Sequence, residues 1–496
     1  MTAIAADVAA PQGEENMNRY HLGILIIGGI GGFACSAAPV TPAPVDAGSP
    51  AAADSVSPVP VDAIPPAPVD AVCPAPIQPV TSGNSATRGD LAFHERALPG
   101  LSGNGRACSD CHMDSNSFQL SPANVEARFQ KMSTSGVDDP LFRPIDADDF
   151  VANGQSASDY SNLRQNGLIR VRMPLPPNIK VVDPSSCMTE GAPAPCDTAT
   201  AYAVSTATFT DVWRSVPTVL NVSVSGSDSQ PSVWQRGPNP QGGYQLDGRF
   251  DTLQNQALGA FRGHAQVMVD PSAAILDDIA AYESGLFASP EPLLSDLETK
   301  GKAVFDRACG TCHSGPGMSS PTTGAQQFIR FHDVFTACPH PVDDVSPPRW
   351  NFAPCGPELA RNEQTYEISF ADGFKMRRTT SDPGRALLTG FVFSDTPAAD
   401  GSCGHAPCGP AHLDDWQKLE IAPLHGISKT APYFHNNSAA TLEEVVIHYE
   451  ELFKRSNVVN PPTLPLPPLL TTDGVHRDRP NVPAERAALV AYLMKL

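Results

Sequence analysis

Cys108-Ser109-Asp110-Cys111-His112 and Cys309-Gly310-Thr311-Cys312-His313 repeat one pattern, C-x-x-C-H, 201 positions apart. Two thiols three residues apart on one helical turn can each add to a vinyl group of a haem. The adjacent histidine then lies under the iron as its proximal ligand. A redox-active C-x-x-C is the alternative reading of one such motif, but it does not need histidine at the next position in both copies. The pair therefore predicts two covalently bound haem c groups, tethered through Cys108 and Cys111 and through Cys309 and Cys312. His112 and His313 are the expected iron ligands.

Such motifs need helices around them. Leu297, Gly301, Val304 and Phe305 keep helical spacing and lead straight into Cys309. Ile275, Ile279, Tyr282 and Leu286 share one face of a helix that closes the first half, and Leu489, Tyr492, Leu493 and Leu496 do the same for the second. A helix before each haem motif and a closing helix after it suit a c-type cytochrome domain. The expected fold is mainly α, with two cytochrome c-like haem domains, 84–290 and 291–496, and long irregular loops. The joint falls in the Pro-rich stretch 288–292. Few segments alternate as strands should.

The remaining sequence bounds the setting. A chain of 496 residues suits two domains plus an appendage, and a net charge of −20 leaves no electrostatic footprint for nucleic acid. Arg19 and the apolar run Leu22–Ile27 have the layout of a secretory signal over 1–35, with Met17 an alternative start. Cys35 sits where a lipoprotein signal places its acylated cysteine, so lipid anchoring and plain export to the periplasm are both open. Residues 36–83 repeat PAPVDA-like hexamers and read as a disordered Pro/Ala-rich tether. Of the 12 cysteines, six form close pairs in loops, Cys187/Cys196, Cys338/Cys355 and Cys403/Cys408. These suit local disulfides in an oxidising compartment better than a zinc knuckle. Cys73 has no assigned partner.

Beyond the haem motifs, the run RSVPTVLN from Arg214 to Asn221, then Asp247-Gly248-Arg249 with Gln256, resembles the bacterial di-haem cytochrome c peroxidases and MauG. So does TAPYFH from Thr430 to His435, followed by ATLEEVV to Val446. The resemblance covers roughly residues 90–496. It implies that the N-terminal haem meets the oxidant, H2O2 or O2. The C-terminal haem passes electrons, from a donor cytochrome, a cupredoxin or a protein substrate oxidised at the surface. Where the peroxidases place a methionine ligand, fourteen residues after His435, this chain has Tyr449, as MauG-like members do. A phenolate there favours high-valent iron. Neighbouring His448 competes for that role, and a packed core tyrosine is the plain alternative. The family also implies a Ca2+ held by the side-chain oxygen of Asn221 and the carbonyls of Thr430 and Pro432, hard donors suited to that ion. A turn-capping Asn221 is the alternative.

The departures bear on the chemistry. Gln256 matches a glutamine of the family's oxidant pocket, but the catalytic glutamate ten residues on is Gln266, the pocket proline is Ala260, and the inter-haem tryptophan is Leu246. Glutamine cannot shuttle the proton that peroxide cleavage requires. His264 supplies a base if it faces the iron, and is otherwise a surface histidine. Phe261 would make the pocket apolar and favour a neutral ligand, if it is not simply packed. Three functions follow: a peroxidase/MauG-type oxidoreductase, a rubber-oxygenase-like enzyme using O2 on a hydrophobic substrate, and a non-enzymatic di-haem electron carrier or ligand sensor.

Overall fold

In the computed structural model the described residues are 83–96, 100–144, 146–147, 160–225, 243–288, 293–310, 312–315, 317–319, 328–330, 362–394, 401–409, 414–449 and 482–496. All fall in the unit Asp70–Leu496. The expected signal, most of the tether, and Cys338/Cys355 lie outside them.

Each half is built on one helix crossing. In the first, α1 (Ser85–His94) starts at Asn84, whose side chain accepts from the Thr87 N–H, a local bond that favours a helix start. It crosses the closing helix α4 (Ala273–Ser284) at Gly89, where an added Cβ would stand 1.9 Å from the Asp278 carbonyl oxygen. In the second, α5 (Asp296–Ala308) begins with a capping box in which Ser295 and Glu298 satisfy each other's backbone N–H. It crosses α6 (Val482–Leu493) at Gly301, where a Cβ would stand 1.9 Å from Ala488 O. One turn further on, Phe93 meets Tyr282 and Phe305 meets Tyr492, with ring centroids 5.3 and 5.4 Å apart. Leu297, expected on the packed face of α5, is 48% exposed instead, because the crossing is set by Gly301, Val304 and Phe305.

Longer helices elsewhere are α2 (Pro122–Ser135), capped by Ser121 and ended by Gly136 at φ 67°, and α3 (Leu253–Gly263), capped by Thr252; Ser161–Asn166, Val222–Ser225 and Ala386–Thr389 form short ones. Residues 442–449 are also helical. Among the described residues no helix is long and apolar enough to cross a membrane.

The expectation of few strands was too low. Four small antiparallel sheets occur among the described residues. β1 (Leu168–Pro174) pairs with β3 (Phe209–Ser215), from Leu168↔Ser215 to Pro174↔Phe209. β2 (Ile179–Val181) joins β4 (Gln364–Ser369), which pairs with β5 (Lys375–Thr380), so this sheet takes strands from both halves. Leu168–Arg170 and Val212–Ser215 are buried at successive positions, on both faces. That removes the two-residue alternation a half-exposed strand would show. Several of those buried positions are polar, and they are satisfied by charge. Arg214 grips Asp382 with Nε and Nη2 at 2.6 and 3.0 Å and donates Nη1 to Asp247 at 2.5 Å. Burial opposes the Asp247 charge, but Arg249 and Arg214 hold its carboxyl below the usual range.

The two halves are also joined by the buried amides of Asn162 and Asn362, which exchange both hydrogen bonds, and by Gln119 Nε2 donating to Pro432 O at 2.9 Å. Cys187–Cys196 and Cys403–Cys408 are disulfide-bonded, as expected.

Candidate functional site

Both C-x-x-C-H motifs fold into the same turn. The N–H groups of Cys111 and His112 donate to Cys108 O at 3.2 and 2.9 Å, and those of Cys312 and His313 to Cys309 O at 3.0 and 2.9 Å. All four thiols are free. Each histidine then donates Nδ1–H to the loop that follows, His112 to Phe118 O at 3.1 Å and His313 to Met318 O at 2.9 Å. That bond fixes the tautomer and leaves Nε2 as the lone-pair nitrogen a metal needs. Burial pushes the His112 ring down to about 4, helped by the nearby charge of His264, and lowers His313 as well. Both rings are therefore neutral ligands at physiological pH. Burial drives the thiols the other way. Cys111 and Cys309 are pushed up to about 12, and Cys108 and Cys312 are raised. A redox-active pair needs a lowered thiol, so that alternative does not fit.

The first motif opens on a cavity of about 1090 Å³ of empty space, counting its mouth. Cys108, Cys111 and His112 line it. So does one face of α3 and its end, at the helical spacing Leu253, Gln256, Ala257, Ala260, Phe261 and His264. The β3 exit from Ser215 to Val219, the loop with Leu246 and Arg249, and Glu283 of α4 complete the lining. Free thiols, a neutral imidazole and a largely apolar space together fit a tethered porphyrin.

The structure brings Gln256 and His264 to this cavity but not Gln266. That residue, with φ 50° just past α3, accepts a hydrogen bond from Asn104 Nδ2 at 3.2 Å. Its position beside the family's glutamate in sequence does not become a position beside the ligand in space. Phe261 is both packed and cavity-lining, 3% exposed within the core of Phe93, Ala257 and Ile279.

Glu283 was missed by sequence reasoning. It is buried, makes no side-chain hydrogen bond or ion pair, and is pushed up to about 8 by burial. A signal existed: it stands four residues after Ile279 on the closing helix, where an apolar residue would continue the stripe.

The second motif lies against an apolar cluster among the described residues. Tyr449 lies in one apolar cluster with Cys309, Phe305, Tyr433 and Phe434. Burial raises its hydroxyl, and the nearby Cys309 and Cys312 add to the shift. His448 is buried against the Phe434 ring, centroids 4.4 Å apart. Tyr449 thus shares a cluster with the motif's Cys309, and the His448 and Tyr449 rings lie 5.4 Å apart.

The three expected calcium donors are all buried or engaged. Asn221 Oδ1 accepts the Ala288 N–H at 3.2 Å and its Nδ2 donates to His425 O at 2.9 Å. Thr430, whose carbonyl is the expected donor, is buried, and the Pro432 carbonyl accepts from Gln119. Among the described residues no three His, Cys, Asp or Glu side chains are grouped to hold a metal ion.

No protein-family model matches the sequence, and no curated protein does. Solved structures similar to it include a MauG-like protein associated with microbial copper homeostasis, 16% identical with a TM-score of 0.36, covering 85% of this chain and 91% of that one. The diheme peroxidase BthA of Burkholderia thailandensis is 15% identical with a TM-score of 0.34, covering 83% and 85%. The hydrazine synthase of Kuenenia stuttgartiensis is 14% identical with a TM-score of 0.35, covering 83% and 87%. Two of these three are named as a MauG-like protein and a diheme peroxidase.

Proposed function

We propose that the chain is an exported di-haem c-type oxidoreductase of the peroxidase/MauG kind. It reacts with H2O2 or O2 at the N-terminal site and takes electrons by way of the C-terminal site. One observation carries the reading: two C-x-x-C-H turns share one geometry, with free thiols and a histidine whose Nδ1 is already bonded, and the first opens on a cavity. When bound, haem supplies redox-active iron with an axial position for ligands.

The chain's own residues divide the remaining work. Cys108, Cys111, Cys309 and Cys312 tether, and His112 and His313 present Nε2. Gln256 offers an amide that both donates and accepts a hydrogen bond at the cavity wall. His264 is the proton acceptor that Gln266 cannot be. Leu246, tied to the second half through its carbonyl and the Glu420 N–H at 2.7 Å, offers no oxidisable ring between the sites. Electrons come from a donor cytochrome, a cupredoxin or an oxidisable protein substrate. Tyr449 would be a ligand of the second haem together with His313, and the side-chain oxygen of Asn221 and the carbonyls of Thr430 and Pro432 are the oxygens a Ca2+ would use.

A second reading, an O2-using oxygenase of a hydrophobic substrate, is supported by the apolar wall of Ala257, Ala260 and Phe261.

The test is the mass of the mature protein with its optical and EPR spectra, with and without H2O2. We expect two porphyrin increments and a haem stain that survives denaturation. Tyr449→Phe should alter the spectrum of one haem and leave the other. A mass without the increments sinks the proposal. A stable O2 complex of the reduced protein favours the oxygenase. A purely low-spin spectrum unmoved by cyanide would make the chain an electron carrier or sensor.

A further inference from the structure

The cavity's basic group is held by a buried ion pair. The His264 ring lines the cavity, and its Nδ1 lies 3.1 Å from Asp146 Oδ1. A carboxylate has no proton to give, so Nδ1–H donates, and in the neutral ring Nε2 is the nitrogen with the lone pair. Asp146 is 3% exposed, and its other oxygen takes Arg106 Nη1 at 2.8 Å. The same Nη1 donates to the His264 carbonyl at 2.7 Å. Arg106 spends its remaining donors on Pro140, Leu141 and Arg143 carbonyls, at 3.1, 3.4 and 2.7 Å, so its guanidinium is bound on every side. Asn104 Nδ2 donates to the His264 carbonyl as well, at 2.9 Å. Ring and backbone of one residue are thus fixed by three buried or half-buried groups at the end of α3. No such apparatus holds Gln266.

We infer that Asp146, anchored by Arg106, is a positioning residue that sets His264 as the proton acceptor of the cavity. It orients the ring, fixes the tautomer with Nε2 free, and stabilises the imidazolium that forms. The step is a proton transfer only. A weak acid entering the cavity, H2O2 or HCN, leaves its proton on Nε2 and binds as HO2⁻ or CN⁻; no electron moves, and the new positive charge sits against the Asp146 carboxylate. Glu283, the carboxyl in the cavity lining, is raised to about 8 by burial, which favours its acid form at neutral pH.

The inference rests on the haem reading above, and the experiment separates the two. Potassium cyanide is mixed with the ferric holoprotein and CO with the reduced holoprotein, and both association rates are read optically. HCN must lose a proton to bind as an anion, and CO has none to lose. Wild type must form a cyanide complex at all; if it forms none, the reading of the first site as the oxidant-binding one fails, and this inference with it. Asp146→Asn is expected to slow cyanide association by roughly tenfold or more while leaving CO within about twofold, and Asp146→Glu to recover most of the loss. Unchanged cyanide rates, or cyanide and CO slowed together, would overturn the role assigned to Asp146. So would cyanide binding that speeds up in His264→Ala, since His264 would then be an iron ligand rather than a base.

Discussion

The two haem motifs sit on the same crossing and end in different surroundings. Gly89 with Phe93 and Gly301 with Phe305 repeat one arrangement against Asp278 with Tyr282 and Ala488 with Tyr492. Phe305 stands four residues before Cys309, so α5 runs directly into its motif, whereas Phe93 stands fifteen before Cys108. The intervening loop carries Asn104 and Arg106, which reach across to the end of α3. The first site thereby gains a cavity wall with Gln256, His264 and Glu283, while at the second Tyr433, Phe434 and Tyr449 cluster with Cys309. A shared frame sets where iron would go, and the loops set what can reach it.

The comparison breaks first at the glycines. Gly89→Ala and Gly301→Ala each place a methyl inside a carbonyl's contact radius, so the helices must part or the crossing must rotate. Each should cost about 3 kcal/mol or more, read by denaturant unfolding of the holoprotein. If the halves are equivalent frames, the two losses should agree within a factor of about two. A variant as stable as wild type would show that its crossing is not close-packed.

Glu283 sharpens the contrast, since the second site shows no buried acid of this kind among its described neighbours. Burial lifts it from the ordinary carboxyl value to about 8. The protonated form is favoured in the fold, so its contribution to stability is complete below the unfolded value, near pH 4.5, and is lost as pH rises through about 8. Between pH 5 and pH 9 wild type should lose on the order of 3 kcal/mol from this group. Glu283→Gln, neutral throughout, should flatten that part of the profile and melt above wild type at pH 9. Parallel profiles for the two proteins would mean that Glu283 is ionised in the fold.

What the sequence made legible follows from how local each signal is. The C-x-x-C-H turns, the face Leu489, Tyr492, Leu493 and Leu496, and both described loop disulfides are written within a few residues, and the structure bears them out. The strands were hard to read because β1 and β3 are each buried at successive positions over part of their length and carry Arg170, Thr210 and Arg214 inward, which confines the alternation to 171–174 and 209–212. The crossing at Gly89 was missed because its haem motif is separated from it by a loop. Gln266 shows the limit of counting from a relative: ten positions after Gln256 is a sequence distance, and the left-handed turn after α3 points that side chain at Asn104 instead. Asp146 could not be found at all, since its value comes from contacts 118 positions away at His264 and 40 at Arg106.

The smallest expected effect concerns the joint between the halves. Asn221 has φ 62°, a conformation costly for most residues but accessible to asparagine, and its amide bonds Ala288 N and His425 O. Asn221→Gly removes the bonds without adding strain, and Asn221→Ala removes the bonds and adds it. We expect losses of about 1 and about 2 kcal/mol respectively, measured by thermal melting. The chelator EGTA decides whether a cation contributes. If Asn221 Oδ1 serves Ca2+ as well as Ala288, EGTA should lower the melting temperature of wild type and leave Asn221→Gly unmoved. If EGTA changes neither, the oxygen is fully accounted for by its backbone partner, and Asn221 is a brace between the two frames rather than a metal ligand.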